Sequence, residues 1–97
     1  MYRVEYLPSF EMDLIEAEVY LYEFSPAAVD KLTSEIVDRM GNLNKHPLMY
    51  PIYEHDKRFR FIPLSYKYIC FYRVDEVAKL VMIHRILHEM RDISAIL

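Results

Sequence analysis

The sequence predicts an α+β fold: a first strand, a two-helix hairpin and a three-stranded antiparallel meander, with the helices packed on one face of a twisted sheet. YRVEYL at 2–7 alternates and is rich in Tyr and Val, which is typical of a strand. Two segments with apolar residues at helical spacing follow. Three strand-like runs then occupy about 58–64, 67–74 and 79–87, and their short links favour hairpins. A chain of 97 residues with one glycine fits one domain, 1–97, with one core.

The first helix is predicted from its apolar residues at helical spacing: Phe10, Leu14, Ala17 and Leu21. Acidic residues are expected to cover its solvent side: Glu11, Asp13, Glu16 and Glu18. The second helix is predicted to begin at Ser25-Pro26, because serine can cap free N–H groups and proline at the first helical position loses no hydrogen bond. Gly41-Asn42 suits its end, and residues 44–57, with two prolines and no sustained period, are read as a loop.

Strand alternation predicts which side chains of the sheet face the helices, because successive residues point to opposite faces. The expected inner set is Phe59, Phe61, Tyr68, Cys70, Tyr72, Leu80, Met82 and Ile86. The opposite parity carries Arg60, Arg73 and Arg85, which should share the face that the helices leave open. Cys70 is the only cysteine, so we expect a small buried hydrophobic residue and no disulfide within the chain.

Charge is unevenly divided along the chain, whose net charge is −3. Residues 1–43 hold nine acidic and three basic residues, whereas residues 44–97 hold nine basic and six acidic residues and all four histidines. The net charge argues against a protein whose whole surface binds nucleic acid, but a local anion-binding surface in the second part stays open. The sequence has neither a long apolar run nor a signal-peptide pattern, so we expect a cytoplasmic protein with no membrane partner.

The segment IHRILHEMRD at 83–92 places His84 and His88 four residues apart. On a helix this spacing can chelate a metal, but the segment is predicted to be a strand, where four residues span about 13 Å. We therefore expect no metal site. His84 shares the parity of Met82 and is expected to be a hydrogen-bonded, half-buried core histidine. His88, at the strand's end, is either a solvated residue or a proton carrier near neutral pH.

Arginines near the predicted open face could bind a phosphate through bidentate, permanently charged contacts. The candidates are Arg60, Arg73, Arg85 and Arg91, with Lys57 and Arg58 nearby. Each single arginine could equally be paired with an acidic residue such as Glu54, Asp75 or Glu89. The cluster as a whole favours a binding surface.

The order of motifs resembles the toxins of the RelE/ParE superfamily along almost the whole chain. The matching pieces are Y-R-V-E-Y-x(6)-D-L-x(5)-Y-L, S-P-A-A, N-L-x(3)-P, Y-K-Y-I-C-F-Y-R-V-D and V-M-I-H-R-I-L-H-x-x-R-D. The resemblance implies the toxin of a type II toxin–antitoxin pair, a growth inhibitor with a role in plasmid stabilisation. It also implies a cognate antitoxin that silences the toxin in a hetero-oligomer, and no cofactor.

Two mechanisms are known in that superfamily: RelE-like members cut mRNA on the ribosome, whereas ParE-like members are not nucleases and poison DNA gyrase. The ending R-I-L-H-x-x-R-D is closer to the ParE-like branch, and the sequence pI near 5.8 also disfavours a ribosome-binding nuclease. The resemblance supports Arg85, His88, Arg91 and Asp92 position by position, and Arg60 falls where the family has an arginine on the second strand.

The chain departs from the family at Glu89, where glycine is usual, and at Met90, where arginine is expected. Three functions therefore stay open: a ParE-like toxin with a protein target; an endoribonuclease using His88 as acid or base with Arg60, Arg85 and Arg91 on the phosphate; or a weakened member that only binds its antitoxin. The antitoxin's inhibitory segment is expected to be amphipathic, to lie against the helical hairpin and the sheet edge, and to bring acidic side chains to the basic face.

Overall fold

A four-stranded sheet with two long helices on one face forms the framework of the computed structural model, which describes residues 1–97. The elements are β1 (Arg3–Tyr6), α1 (Pro8–Tyr22), α2 (Pro26–Met40), β2 (Arg60–Pro63), β3 (Tyr68–Asp75), β4 (Leu80–His88) and the single-turn helix α3 (Ile93–Ile96). The strand order is β1-β4-β3-β2; β1 runs parallel to β4, and the other pairs are antiparallel. The predicted α+β fold is confirmed.

Both long helices begin with proline, at Pro8 and Pro26, where the missing N–H costs no helical hydrogen bond. Ser25 is the N-cap residue of α2, as predicted, but its hydroxyl makes no capping bond. Gly41 follows α2 directly with a helical φ of −61°, so no left-handed backbone is needed there. No helix in the structure is both long enough and apolar enough to cross a membrane.

The main core lies between the helices and the inner face of the sheet, and β3 contributes to it as predicted. Its buried members from the sheet are Ile62, Tyr68, Cys70, Tyr72, Val81, Ile83 and Ile86. Cys70 is free and fully buried, and burial raises the pKa of its thiol far above the ordinary value. The predicted inner positions of β2 and of the first half of β4 are wrong.

A β-bulge explains the error in β4. Tyr72 pairs with Ile83, whereas the adjacent Phe71 pairs with Arg85, so His84 is an extra residue. Before the bulge, the inner positions are therefore shifted by one residue from the prediction. Val81 and Ile83 are buried in the core, and the predicted Leu80 and Met82 are only half-buried.

The outer face of the sheet carries a second, smaller core. Phe59, Phe71, Leu87 and Ile93 are buried together there, and Tyr53, Phe61 and the end of α3 pack around them. Phe59 and Phe61 were predicted for the inner face, but Ile62 pairs with Cys70 and takes the inner position in β2. The face predicted to be open is thus covered in part by the loop before β2 and by α3.

Candidate functional site

Arg60 lies at the start of β2, on the helix side of the sheet and not on the outer face as predicted. It pairs with the buried Tyr72. Its Nη1 donates to the backbone carbonyl oxygens of Tyr50 at 2.8 Å and of Leu48 at 3.4 Å. These bonds anchor the loop that follows α2, so the guanidinium is already committed to a structural role.

The side chain of Arg85 is also unavailable on the outer face, because it forms a bidentate ion pair with Asp13 of α1. Arg85 Nε and Nη2 donate to the two carboxylate oxygens at 2.6 and 2.9 Å. The backbone N–H of Ile86 donates to the same carboxylate at 3.2 Å. The hydrogen bonds that Arg85 donates to Asp13 raise the pKa of Arg85 above its ordinary value. Asp13 was predicted to face solvent, yet only 7% of the residue is exposed.

The structure keeps one of the three predicted arginines, Arg73, on the outer face. Its guanidinium carbon lies 6.0 Å from the centre of the Phe59 ring, and that of Arg58 lies 5.3 Å from the same ring. Arg58 is paired with Asp56 at 2.6 Å. The expected basic cluster is therefore dispersed between two faces and largely neutralised.

His84 lies on the outer face against Phe59, with ring centres 5.1 Å apart and planes nearly perpendicular. The prediction of a hydrogen-bonded histidine in the main core is wrong, because Nε2 is buried without a hydrogen-bond partner. Burial lowers the pKa of His84, and the positive charges of Arg73, Arg58 and Arg85 lower it further. The imidazole is thus held neutral.

His88 and Arg91 line one cleft, which we call the terminal cleft, between α1 and the end of β4. It has a volume of about 550 Å³ and an apolar floor that includes Ala17 and Ile86. Its polar lining residues are Asp13, Glu16, Tyr20, Tyr68, His88 and Arg91. Burial raises the pKa of Tyr68, nearby Tyr20 and Glu16 raise it further, and Arg91 opposes them. Two carboxylates and the guanidinium of Arg91 thus meet around an apolar floor, which suits an amphipathic peptide segment.

The orientation of His88 within the terminal cleft is set by two contacts. Its ring packs edge-on against Tyr68 with centres 5.3 Å apart. Its Nδ1 accepts a hydrogen bond from the backbone N–H of Met90 at 3.2 Å. Because Nδ1 is the acceptor, the neutral ring carries its proton on Nε2. His88 therefore presents a hydrogen-bond donor, and not a free lone pair, to anything bound in the cleft.

Sequence reasoning missed the acidic side of this site. Asp13 occurs between Phe10 and Ala17 at helical spacing, so its place on the buried stripe was visible in the sequence. Glu16 and Tyr20 lie three and seven residues after Asp13, so they occupy the same side of α1. Their approach to the end of β4 depends on how α1 packs, for which the sequence has no local signal.

Histidine, cysteine, aspartate and glutamate side chains do not gather in groups of three or more that could hold a metal ion. The segment that contains His84 and His88 is a strand, as predicted. The bulge further separates the two rings, since His84 packs on the outer face and His88 lines the terminal cleft.

Comparison with protein-family models matches residues 4–93 to the ParE toxin of the type II toxin–antitoxin system parDE. The chain belongs to the ParE toxin family. A comparison of the ParE-family sequence with curated protein sequences gives no match. The matched range includes α1, the sheet except Arg3 at the start of β1, and all the polar residues of the terminal cleft.

Solved structures with the same fold include members of two toxin–antitoxin systems. A chain from the chromosomal ParDE system of P. aeruginosa has a TM-score of 0.72 and 20% identity, over 91% of this chain and 96% of that one. A chain from the RelBE2 toxin–antitoxin complex of Mycobacterium tuberculosis has a TM-score of 0.60 and 20% identity, over 91% and 98%. At this identity the likeness shows a shared fold, and the RelE/ParE superfamily fold is confirmed for this ParE-family toxin.

Proposed function

We propose that this ParE-family toxin inhibits growth in the cytoplasm by binding a protein target such as DNA gyrase, and that a cognate antitoxin neutralises it. In this proposal the terminal cleft, with His88 and Arg91, receives a segment of the target. The observation that carries the proposal is the balance of charge at the candidate site. Two of its three predicted arginines are already bound, Arg60 to backbone carbonyls and Arg85 to a carboxylate, which favours a protein partner over a polyanion.

Binding to ribosomal RNA or mRNA needs unpaired cations, since each phosphate contact is a charge contact. Arg85 is neutralised by Asp13, and Arg60 is bound to carbonyl oxygens of the loop. Arg91 belongs to none of the three ion pairs in the structure, but it shares its cleft with Glu16. A phosphate entering the terminal cleft would meet the carboxylate of Glu16, which has no ion-pair partner, and this disfavours the endoribonuclease alternative.

The hydrogen bond at His88 gives a second argument against nuclease chemistry. A general base needs an accessible lone pair, but the lone pair on Nδ1 already accepts the N–H of Met90. Protonating Nδ1 would break that bond. His88 is better suited to donate from Nε2 to a carbonyl or carboxylate of a bound protein segment.

The proposed antitoxin partner is supported by the family and by the fold neighbours, which come from a ParDE system and from a RelBE2 toxin–antitoxin complex. We infer a hetero-oligomer of toxin and antitoxin. An antitoxin segment folded over the terminal cleft would block the target directly.

Inducing the protein in cells tests the target. We expect growth to stop and gyrase–DNA complexes to accumulate, and we expect no cleavage of mRNA within translated codons. Arg91→Ala should relieve the arrest because it removes the cleft's unpaired cation. Arg3→Ala is the matched control, an exposed arginine beside Leu80 at the other end of β4.

Each other result has a definite meaning. Cuts within translated codons that disappear in His88→Ala would establish the endoribonuclease alternative and overturn the proposal. Unimpaired growth at high expression would show that the protein is a weakened family member that only binds its antitoxin. Arrest without trapped gyrase complexes or RNA cuts would exclude gyrase as the target.

A further inference from the structure

The outer face of α1 carries four large apolar side chains that nothing in the structure covers. Met12, Ile15, Val19 and Tyr22 are 71%, 61%, 60% and 65% exposed. Their spacing of three, four and three residues places them on one stripe of the helix. The buried residues of α1, which include Phe10, Ala17 and Leu21, occupy the opposite side. Contiguous exposed apolar patches often mark contact surfaces, whereas apolar residues scattered singly over a surface do not.

This stripe follows the a and d positions of a coiled-coil heptad. With Met12 and Val19 at a, Ile15 and Tyr22 fall at d, which is the seam that faces a partner helix. Shallow grooves on both sides of the helix are each lined by Ile15 and Val19. The two side chains therefore form a ridge that could insert between the side chains of a second helix.

Glutamates occupy every position that flanks the stripe. Glu11 and Glu18 are at g, and Glu16 and Glu23 are at e. These positions choose the partner in coiled coils, because they meet the e and g residues of the facing helix. α1 contains no lysine or arginine. Arg85, the cation that lines one of the grooves, is already paired with Asp13.

The charge pattern excludes two occupants. A second copy of this chain packed along the same stripe would bring rows of glutamates together, and like charges across such a seam are destabilising. An anionic membrane surface would repel the same glutamates, whereas helices that bind such surfaces are rich in Lys and Arg. A helix with lysine or arginine beside its own apolar stripe satisfies both the apolar and the charged positions.

We propose that the outer face of α1 is the acidic half of a two-stranded coiled coil, and that its partner is an amphipathic helix of another protein with Lys or Arg at the e and g positions. The partner's apolar residues cover the ridge of Ile15 and Val19, and its cations pair with Glu11, Glu16, Glu18 and Glu23. The inference does not depend on the target of the terminal cleft. It reverses the expectation that an acidic partner segment would meet a basic face on this protein.

Titration of the full chain with labelled synthetic peptides tests the proposal. One peptide, about three heptads long, has Leu and Ile at a and d and Lys at e and g; its twin has Glu at e and g. Fluorescence anisotropy should show binding of the lysine peptide that weakens as salt is added, and little binding of the glutamate peptide.

Variants on the stripe should distinguish specific binding at this surface from nonspecific binding of the peptides. Val19→Asp should weaken binding of the lysine peptide roughly tenfold or more, because a seam position loses its apolar contact. Val77→Asp is the matched control, because Val77 is a 96% exposed valine at the β3–β4 turn, and it should bind as the parent does. Glu11→Lys with Glu18→Lys should shift preference toward the glutamate peptide.

Circular dichroism on each variant confirms folding, which is expected because the substituted side chains are not part of the core. Equal binding of both peptides, or binding that survives Val19→Asp, would overturn the proposal. So would the absence of binding by the lysine peptide. Self-association of the parent chain in sedimentation, abolished by Val19→Asp, would instead make a second copy the occupant and would also overturn it.

Discussion

Asp13 is the residue that ties α1 to the far end of the sheet. Its carboxylate accepts hydrogen bonds from both nitrogens of the Arg85 fork and from the backbone of Ile86. β1 ends at Tyr6, so the edge of β4 beyond Ile83 has no strand beside it. Asp13 and the hydroxyl of Ser9, which donates to the carbonyl of His84 at 2.6 Å, take the place of that strand.

Removing either member of the Asp13–Arg85 pair should destabilise the protein. We expect Asp13→Ala to cost about 3 kcal/mol, because a partly buried guanidinium and a backbone N–H lose their acceptor. Arg85→Ala should cost less, since Ile86 still donates to Asp13. The double variant should be more stable than the sum of the two single changes implies, by about 1–3 kcal/mol. Urea unfolding of the four proteins measures this coupling, and strict additivity would contradict it.

His84 should make stability depend on pH. Its folded-state pKa lies below the ordinary value of 6.5, so the unfolded chain binds the proton more tightly. Stability should therefore fall as the pH drops below about 6.5, and the fall should stop below the folded-state pKa. His84→Phe removes both the titration and the unpartnered Nε2, and should be about 1 kcal/mol more stable at neutral pH.

The check for His84 is urea unfolding of the parent and His84→Phe between about pH 7.5 and about pH 5.5. The difference in free energy of unfolding should widen as the pH falls through this range. Curves that stay parallel would show that the imidazole is not held neutral by the fold.

At the scale of elements, the turn between β2 and β3 holds two consecutive residues in the left-handed region. Tyr66 and Lys67 have φ values of 61° and 64°, although neither is glycine or asparagine. Glu35 of α2 stabilises the turn by accepting hydrogen bonds from both the backbone N–H and the hydroxyl of Ser65, each at 2.9 Å. A contact from α2 thus holds a backbone conformation that the local sequence disfavours.

Lys67→Gly should stabilise the protein by about 0.5–1 kcal/mol, because glycine adopts positive φ without the clash of a Cβ atom. Lys57→Gly provides the comparison, since Lys57 lies in a turn but has no positive φ. That change should be neutral or destabilising. Thermal unfolding measures both, and a lower Tm for Lys67→Gly would contradict the argument.

The elements also show where sequence reasoning succeeds. The start of α2 and the inner face of β3 follow from local chemistry and period, and they were predicted. The first half of β4 was not, because one extra residue at His84 reverses the parity, and nothing in the sequence marks that bulge. In α1 the apolar residues occupy both sides of the helix, so one stripe was found and the stripe of Met12 and Ile15 was missed.

For the whole molecule, the candidate site depends on contacts between distant parts of the chain. Arg85 was assigned to an open face from parity alone, but its partner Asp13 lies 72 residues earlier. Arg60 was likewise assigned to the open face, because the sequence does not show that the loop after α2 brings backbone carbonyls to its guanidinium. His88 and Arg91 share the terminal cleft with Glu16 and Tyr20 of α1, and the sequence has no local signal for this proximity. The sequence indicated a candidate segment, and packing decided which of its side chains stay available.

The parallel pairing of β1 with β4 links the beginning of the chain to its end, and this has a consequence during synthesis. β1 has no sheet partner until residues 80–83 exist, and contacts so distant in sequence form late. Ribosome-bound chains that stop at residue 79 should be digested by protease, whereas chains that contain residues 1–97 and are held on a linker should resist. Resistance of the chains that stop at residue 79 would contradict this. A translation product interrupted before β4 would then lack the folded sheet, and the terminal cleft would form only once residues 80–91 have been made.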